Sequence, residues 1–192
     1  MSVGFVSNTF GNTRLLKEIL IALVERYDVA RVVPIDDAID DAAVVLGERS
    51  RSFPADLHWS EGGFPDFVLD SVVRGVAEVA PHEAARTALL RDRVQPFGPG
   101  ETIVLGGRRI GLAGADGEAT ADVLVRSMPE VRGIEHAGAA VVLCPGHLRD
   151  DLWQGMPATC AIISLEGEQL VARFIDGAGN DLGEAVPLEP VG

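Results

Sequence analysis

The chain has 192 residues, of which 47% are hydrophobic and 5% aromatic, and its formal net charge is −13 at pH 7. The length favours one domain with one sizeable core, and the low aromatic content suits a layered α/β packing. The negative charge repels polyanions and argues against generic nucleic-acid binding.

Two cysteines are too few for a disulfide framework, and no apolar run reaches the roughly 20 residues of a membrane span. We therefore expect a cytoplasmic protein with neither a membrane nor a nucleic acid as partner. We expect the single domain to cover residues 1–175, and residues 176–192 to form a Gly/Pro-rich, poorly packed tail.

The first third of the chain predicts a β-α-β unit. Val3–Val6 is typical of a buried strand, and Leu15–Leu23 has apolar residues at helical spacing, with Asn12 as the expected N-cap. Arg31–Ile35 predicts a second strand, parallel to the first. Residues 46–64 have no periodicity and predict a long loop.

The rest of the chain predicts helices, one further strand and two hairpins. Pro81–Arg91 suits a helix with proline in its first turn. Thr102–Leu112 predicts a hairpin around a Gly-Gly turn. We expect a helix over residues 117–126, a strand over Ala139–Leu143 and a closing hairpin over Thr159–Ile175.

Directly after the first strand the chain reads Ser7-Asn8-Thr9-Phe10-Gly11-Asn12. This segment resembles Ser-Asp-Thr-His-Gly-Asn, the opening motif of the calcineurin-like metallophosphoesterases, which contributes to a two-metal site. Asn8 stands at a ligating aspartate of that family, and Phe10 stands at a ligating histidine. Over about residues 2–175, the order of elements is similar to that of the small bacterial phosphodiesterases of this family. The resemblance implies an α/β fold with a four-layer α/β/β/α sandwich.

Later segments match the family's metal motifs in order and spacing, but differ at the ligands themselves. Arg31–Asp37 resembles strand-Leu-Gly-Asp and retains, as Asp37, the aspartate that bridges both metals. The other vestigial positions are Val76 and Glu78 for an asparagine and an aspartate, Gly114 and Asp116 for two histidines, and Met128 and Glu130 for two more.

A two-metal hydrolase needs hard oxygen and imidazole ligands. The neutral carbonyl of Asn8 and the soft thioether of Met128 are poor substitutes, so we predict a pseudoenzyme with no catalytic residues, resident metal or cofactor. Asp37 and Glu130 could still hold one divalent cation weakly. The apolar replacements are expected to converge at the strand ends and to fill the former cavity or leave an apolar dimple: Phe10, Val76 and Met128.

Such a protein would act as an interaction scaffold or bind a small ligand, alone or as a homo-oligomer. Phe53, Trp59 and Phe64 lie in the loop segment 48–66 and could form a surface for docking a protein partner, or fold back as a local cap. The first alternative is a phosphoesterase or other hydrolase with a rebuilt, metal-poor active site.

Two further alternatives rest on single motifs. Ser7–Thr13 also resembles the phosphate loop of flavodoxins, which binds FMN through backbone amides and hydroxyls, although later hairpins are foreign to that fold. Cys144 could be a nucleophile with His147 as its base, but a buried structural thiol is favoured. Arg74 and Arg126 could attract a phosphate or pair with neighbouring acids.

Overall fold

The structure, a computed structural model, describes residues 1–48, 81–98, 100–114, 121–149 and 155–189. In chain order its elements are β1 (Ser2–Val6), α1 (Thr13–Ile21), which continues into a π-helical turn (Ala22–Arg26), β2 (Arg31–Pro34), α2 (Asp37–Val45), α3 (81–93), β3 (Ile103–Leu105), β4 (Arg108–Leu112), β5 (Val123–Val125), β6 (Arg132–Ala137), β7 (Ala140–Pro145), β8 (Thr159–Glu166), β9 (Gln169–Asp176) and β10 (Val186–Pro187).

The first sheet contains the predicted β-α-β unit. Its strand order is β10-β9-β8-β1-β2, and β1 pairs with β2 in parallel, with Val3 opposite Arg31. The Asn12 side chain accepts a hydrogen bond from the Leu15 amide at 3.1 Å, which confirms it as the N-cap of α1. The predicted closing hairpin is also present, because β8 and β9 pair antiparallel along their whole length.

The second sheet has the order β3-β4-β5-β7-β6. The predicted hairpin β3–β4 turns at Gly106 and Gly107, whose φ angles of 58° and 77° favour glycine. The helix predicted over residues 117–126 is wrong where the structure describes it, since Val123–Val125 is a strand between β4 and β7, parallel to both. A continuous buried run of branched residues suits a central parallel strand better than a helix.

Two hydrophobic clusters define three layers. Between the sheets, Phe5 and Val33 of the first sheet pack with Ile110 and Leu143 of the second. The opposite face of the first sheet is covered by helices, with Leu16 among the fully buried residues. The chain therefore has an α/β fold with a helical layer and two stacked sheets.

The outer face of the second sheet carries a third, smaller cluster, formed by Leu124, Val142 and Cys144. Within the described ranges, this cluster contains no helical residue. A second helical layer, which would complete the four-layer sandwich, stays a prediction.

The segment expected to be a poorly packed tail is ordered as far as the structure describes it. Val186–Pro187 adds β10 to the edge of the first sheet. Leu188 is buried between the two sheets, in the same hydrophobic cluster as Phe5 and Leu143. Residues 180–187 are otherwise almost all exposed, so the departure from poor packing is limited to β10 pairing and Leu188, and the domain boundary at 175 stays a prediction.

In the part of the chain that the structure describes, the helices are too short or too polar to cross a membrane. Most of the loop predicted over residues 46–64 lies outside the described residues, which end at Glu48 and resume at Pro81.

Candidate functional site

The loop between β1 and α1 has an unusual backbone. Asn8, Phe10 and Gly11 all have positive φ angles, of 52°, 51° and 79°. Glycine adopts this conformation without cost and asparagine tolerates it, but for phenylalanine it costs on the order of 1–2 kcal/mol. Other contacts must therefore hold the loop in this shape.

Two aspartates at the start of α2 supply those contacts. Asp37 accepts hydrogen bonds from the Thr9 amide (3.1 Å) and the Phe10 amide (2.7 Å), one on each carboxylate oxygen. Asp41, one helical turn later, accepts from the Thr9 hydroxyl (2.6 Å) and the Gly11 amide (2.9 Å) through a single oxygen. Two carboxylates thus hold the loop, because they accept hydrogen bonds from three consecutive backbone amides, those of Thr9, Phe10 and Gly11.

Asn8 connects three strand ends. Its amide nitrogen donates to the Gly146 carbonyl after β7 (3.0 Å) and to the Ser7 hydroxyl (3.1 Å). Its amide oxygen accepts a hydrogen bond from the Ser127 hydroxyl after β5 (3.1 Å). The backbone contributes as well, because the Leu148 amide donates to the Asn8 carbonyl (3.0 Å). Asn8 therefore holds together the ends of β1, β5 and β7.

Two of the apolar replacements, Phe10 and Met128, do not converge as predicted, and the third, Val76, lies outside the described residues. The Phe10 side chain is 48% exposed, and the Arg149 guanidinium lies 5.2 Å from its ring centre. Met128 instead packs against the Leu124 cluster on the outer face of the second sheet. The prediction fails because the left-handed backbone at Phe10 directs the side chain to solvent.

A pocket of about 290 Å³ lies where the strand ends of the two sheets meet. Its wall includes Asp36, Gly114, Arg126 and Ser127, so groups of both charges and a hydroxyl face the same space. Ile35, Leu112, Ala113 and Val125 complete the wall, so the pocket differs from the expected apolar dimple by its charged and polar groups. Arg126 is half-buried there and precedes Ser127, whose hydroxyl donates to Asn8.

The described residues do not fit a two-metal centre. Phe10 and Gly114 have no side-chain atom that can ligate a metal. The nitrogen and the oxygen of the Asn8 side chain both make hydrogen bonds. Each Asp37 oxygen already accepts a hydrogen bond from a backbone amide. Glu130 lies in an exposed turn. Within the described ranges, no group of three or more His, Cys, Asp or Glu side chains is arranged to hold a metal ion.

The Cys144–His147 pair has no support as a catalytic dyad. His147 is fully buried, its Nδ1 accepts a hydrogen bond from the Arg149 amide (3.2 Å), and its Nε2 lies 3.2 Å from the Met156 carbonyl. This arrangement places the proton on Nε2 and links His147 to Arg149 and Met156. The Cys144 thiol belongs to the cluster on the outer face of the second sheet, and burial raises its pKa.

Three residues of this site were not singled out by the sequence: Asp41, Ser127 and Gly146. Asp41 could have been found, because it lies four residues after Asp37 and therefore shares one face of a helix with it. Nothing in the sequence indicates that Ser127 and Gly146 meet at Asn8, since that contact depends on the order of strands in the second sheet. Several predicted positions lie outside the described residues: Phe53, Trp59, Phe64, Arg74, Val76, Glu78 and Asp116.

Comparisons with known proteins identify the fold of this chain. No protein-family model and no curated protein matches the sequence. Solved structures do: YfcE, a phosphoesterase from E. coli, has 19% sequence identity and a TM-score of 0.53, over 98% of this chain and 100% of that one. A conserved protein of Streptococcus pneumoniae, a predicted phosphoesterase, has 11% identity and a TM-score of 0.53, over 97% and 96% of the two chains.

An archaeal phosphodiesterase is also similar, with 12% identity and a TM-score of 0.50 over 91% of this chain and all of the other. The structural similarity establishes the fold, whereas sequence identities this low leave the chemistry open. The mixed sheets and helices of this chain are consistent with that similarity. The chain therefore has the fold of the calcineurin-like metallophosphoesterases, as the Ser7–Asn12 motif predicted.

Proposed function

We propose that this chain is a catalytically degenerate metallophosphoesterase-fold protein, which binds a small ligand or a protein partner instead of hydrolysing phosphate esters. The observation that carries the proposal is the use of Asp37 and Asp41 as anchors of the loop between β1 and α1. An aspartate that bridges two cations must direct its lone pairs to them. In this chain each oxygen of the retained aspartate already accepts a hydrogen bond from a backbone amide, which leaves fewer lone pairs for cations.

The remaining positions support the same proposal through their chemistry. A bridging water becomes a nucleophile only when hard ligands hold two cations beside it. Asn8 is a neutral amide committed to Gly146 and Ser127, and Phe10 carries no ligand atom. Hence no metal-dependent hydrolytic step follows from these residues.

The pocket of about 290 Å³ is the site we propose for a small ligand. Arg126, Asp36 and Ser127 together offer a cation, an anion and a hydroxyl, which suits a polar molecule with both donors and acceptors. A partner-docking surface at Phe53, Trp59 and Phe64 stays a proposal, as do the cytoplasmic location and a homo-oligomer.

Metal analysis and a phosphodiesterase assay test the proposal together. Protein purified without chelator is analysed by inductively coupled plasma mass spectrometry and assayed on bis-p-nitrophenyl phosphate, with and without added Mn²⁺. We expect substoichiometric metal and no turnover above background. The matched variant is Asp37→Ala. Near-stoichiometric metal in the wild type, with turnover that Asp37→Ala abolishes, would falsify the proposal.

A hydrolase with a metal-poor site is the second candidate, since Ser127, Arg126 and Asp36 line one pocket. It predicts turnover that survives EDTA and is lost in Ser127→Ala. The FMN alternative has less support, because the amides of Thr9, Phe10 and Gly11, which would bind a phosphate, already donate to Asp37 and Asp41. A colourless protein whose melting temperature does not respond to FMN removes that alternative.

A further inference from the structure

A second and larger cavity lies at the opposite end of β1. Its volume is about 660 Å³, and its wall includes Ser2 at the start of β1 and Ser164 near the end of β8, two residues that face each other across the sheet. The five residues of β1 separate this cavity from the candidate site by roughly 16 Å at about 3.3 Å per residue. Its size is within the roughly 300–1,000 Å³ of small-molecule pockets.

The charge of this cavity is opposite to that of the chain. Three arginines line it, Arg26, Arg93 and Arg173, against two acids, Asp28 and Glu166. The lining side chains therefore carry one net positive charge, with two further acids, Asp92 and Asp181, close to Arg93 and Arg173, whereas the whole chain carries −13. Basic residues concentrated in this way produce a positive potential in the space that they line.

Two of the arginines keep their charge largely uncompensated. Arg26 donates to the Gly179 carbonyl (2.7 Å) and to the side-chain oxygen of Asn180 (3.2 Å), both neutral acceptors. Arg93 donates to the Val29 carbonyl (3.0 Å), again a neutral acceptor. These contacts orient the guanidinium groups without neutralising them.

The carboxylates nearest Arg93 compensate it weakly. Asp28 and Asp92 lie 3.8 Å from its guanidinium nitrogens, and their side chains are 92% and 79% exposed. Ion pairs at that distance between exposed groups contribute little, because water screens them. Arg93 can therefore bind another anion in their place.

The third arginine is differently placed. Arg173 donates to Glu166 at 2.6 Å, and this contact raises the pKa of the arginine. Glu166 thus forms an ion pair with the guanidinium of Arg173, which lines the cavity. Removal of its charge would free Arg173 and raise the positive potential at the same time.

We propose that this cavity, the arginine cavity, binds a small organic anion that carries a phosphate or carboxylate group. Guanidinium groups suit both, since their paired N–H donors match the oxygens of either group. Ile162, Leu165 and the Tyr27 ring supply apolar walls for the organic part of the ligand. The inference goes beyond the proposed function and does not depend on it, because the two sites lie at opposite ends of β1.

Isothermal titration calorimetry at low ionic strength tests the site with two probes, AMP and citrate, and with adenosine as the uncharged control. We expect one AMP or citrate per chain, no binding of adenosine at the same concentrations, and affinity that falls with added salt. Binding of AMP alone would identify a phosphate-bearing ligand, and binding of citrate alone a carboxylate-bearing one.

Three variants with one charge change each separate local binding from overall charge. Arg93→Gln should weaken binding on the order of tenfold, the loss of about one charge-assisted hydrogen bond. Glu166→Gln should strengthen it severalfold. Arg14→Gln, on α1 outside the cavity, should leave affinity within about twofold.

Three results would each overturn the inference: no binding of either anion to the folded wild type, an equal loss in Arg93→Gln and Arg14→Gln, or no gain in Glu166→Gln. Thermal melts of the unliganded variants check that each is folded. Failure here would leave the metal and phosphodiesterase measurements, and hence the proposed function, unaffected.

Discussion

Asp41→Ala removes one of the two anchors of the loop between β1 and α1. In the native structure a single Asp41 oxygen accepts from the buried Thr9 hydroxyl at 2.6 Å and from the exposed Gly11 amide at 2.9 Å. Hydrogen bonds to charged groups contribute about 1.5–3 kcal/mol when buried, and the exposed amide can turn to water at little cost. We expect a loss of about 2 kcal/mol in the free energy of unfolding.

For a chain of this length, that loss lowers the melting temperature by about 4–8 °C. Differential scanning calorimetry and urea unfolding measure it, with Glu168→Ala, the loss of an exposed carboxylate in the β8–β9 turn, as the matched control. Asp41→Asn keeps an acceptor oxygen and should recover most of the stability. Equal melting temperatures for Asp41→Ala and Glu168→Ala would refute the idea that carboxylates hold this loop, as would a large stabilisation of the wild type by Mn²⁺.

Asn8→Asp restores the family's aspartate but turns a donor towards the Gly146 carbonyl into a second acceptor, so we expect a loss of about 2–3 kcal/mol on urea unfolding and no gain in bound metal. Unchanged stability would contradict the role given to Asn8. Gly146→Ala should destabilise by at least about 3 kcal/mol, since its φ is 94° and a Cβ atom would clash with Thr159, whereas Gly138→Ala shares the positive φ but has open space and should cost about 1 kcal/mol. Burial raises the pKa of the Cys160 thiol, so it should not react with Ellman's reagent in the native protein. Because the native state holds this proton more tightly than the unfolded chain, stability should fall as pH rises above about 8.5, and less steeply in Cys160→Ala; rapid labelling at pH 7 or a flat profile would be contrary to this.

The elements that could be predicted from the sequence are those with a strong apolar pattern. β1, α1, β2 and the two hairpins combine buried runs with a recognisable cap or with glycine in the turn. Helix α2 does not follow from the sequence, because its acidic opening equally suits an exposed loop. Strand β6 was not predicted either, since its residues are exposed or half-buried and carry no alternating pattern.

The candidate site was predictable in position but not in its contacts. Asn8 follows β1 and Asp37 lies shortly after β2, as the resemblance to the family motifs implies, while their role as former metal-site positions stays a prediction. Their partners depend on long-range geometry: Asn8 meets Gly146 and Ser127 only because β5 and β7 end beside β1. The direction of Phe10 depends on its positive φ, which propensity alone does not indicate.

The amide of Asn8 makes the junction of β1, β5 and β7 insensitive to acidity. A carboxamide neither gains nor loses a proton over the range in which carboxylates and imidazoles titrate. A cluster of acidic ligands deprived of its cations would be pushed apart by like charges, and its geometry would change with pH. The strand ends joined by Asn8 should keep one shape from mildly acidic to mildly alkaline solution, without any counter-ion.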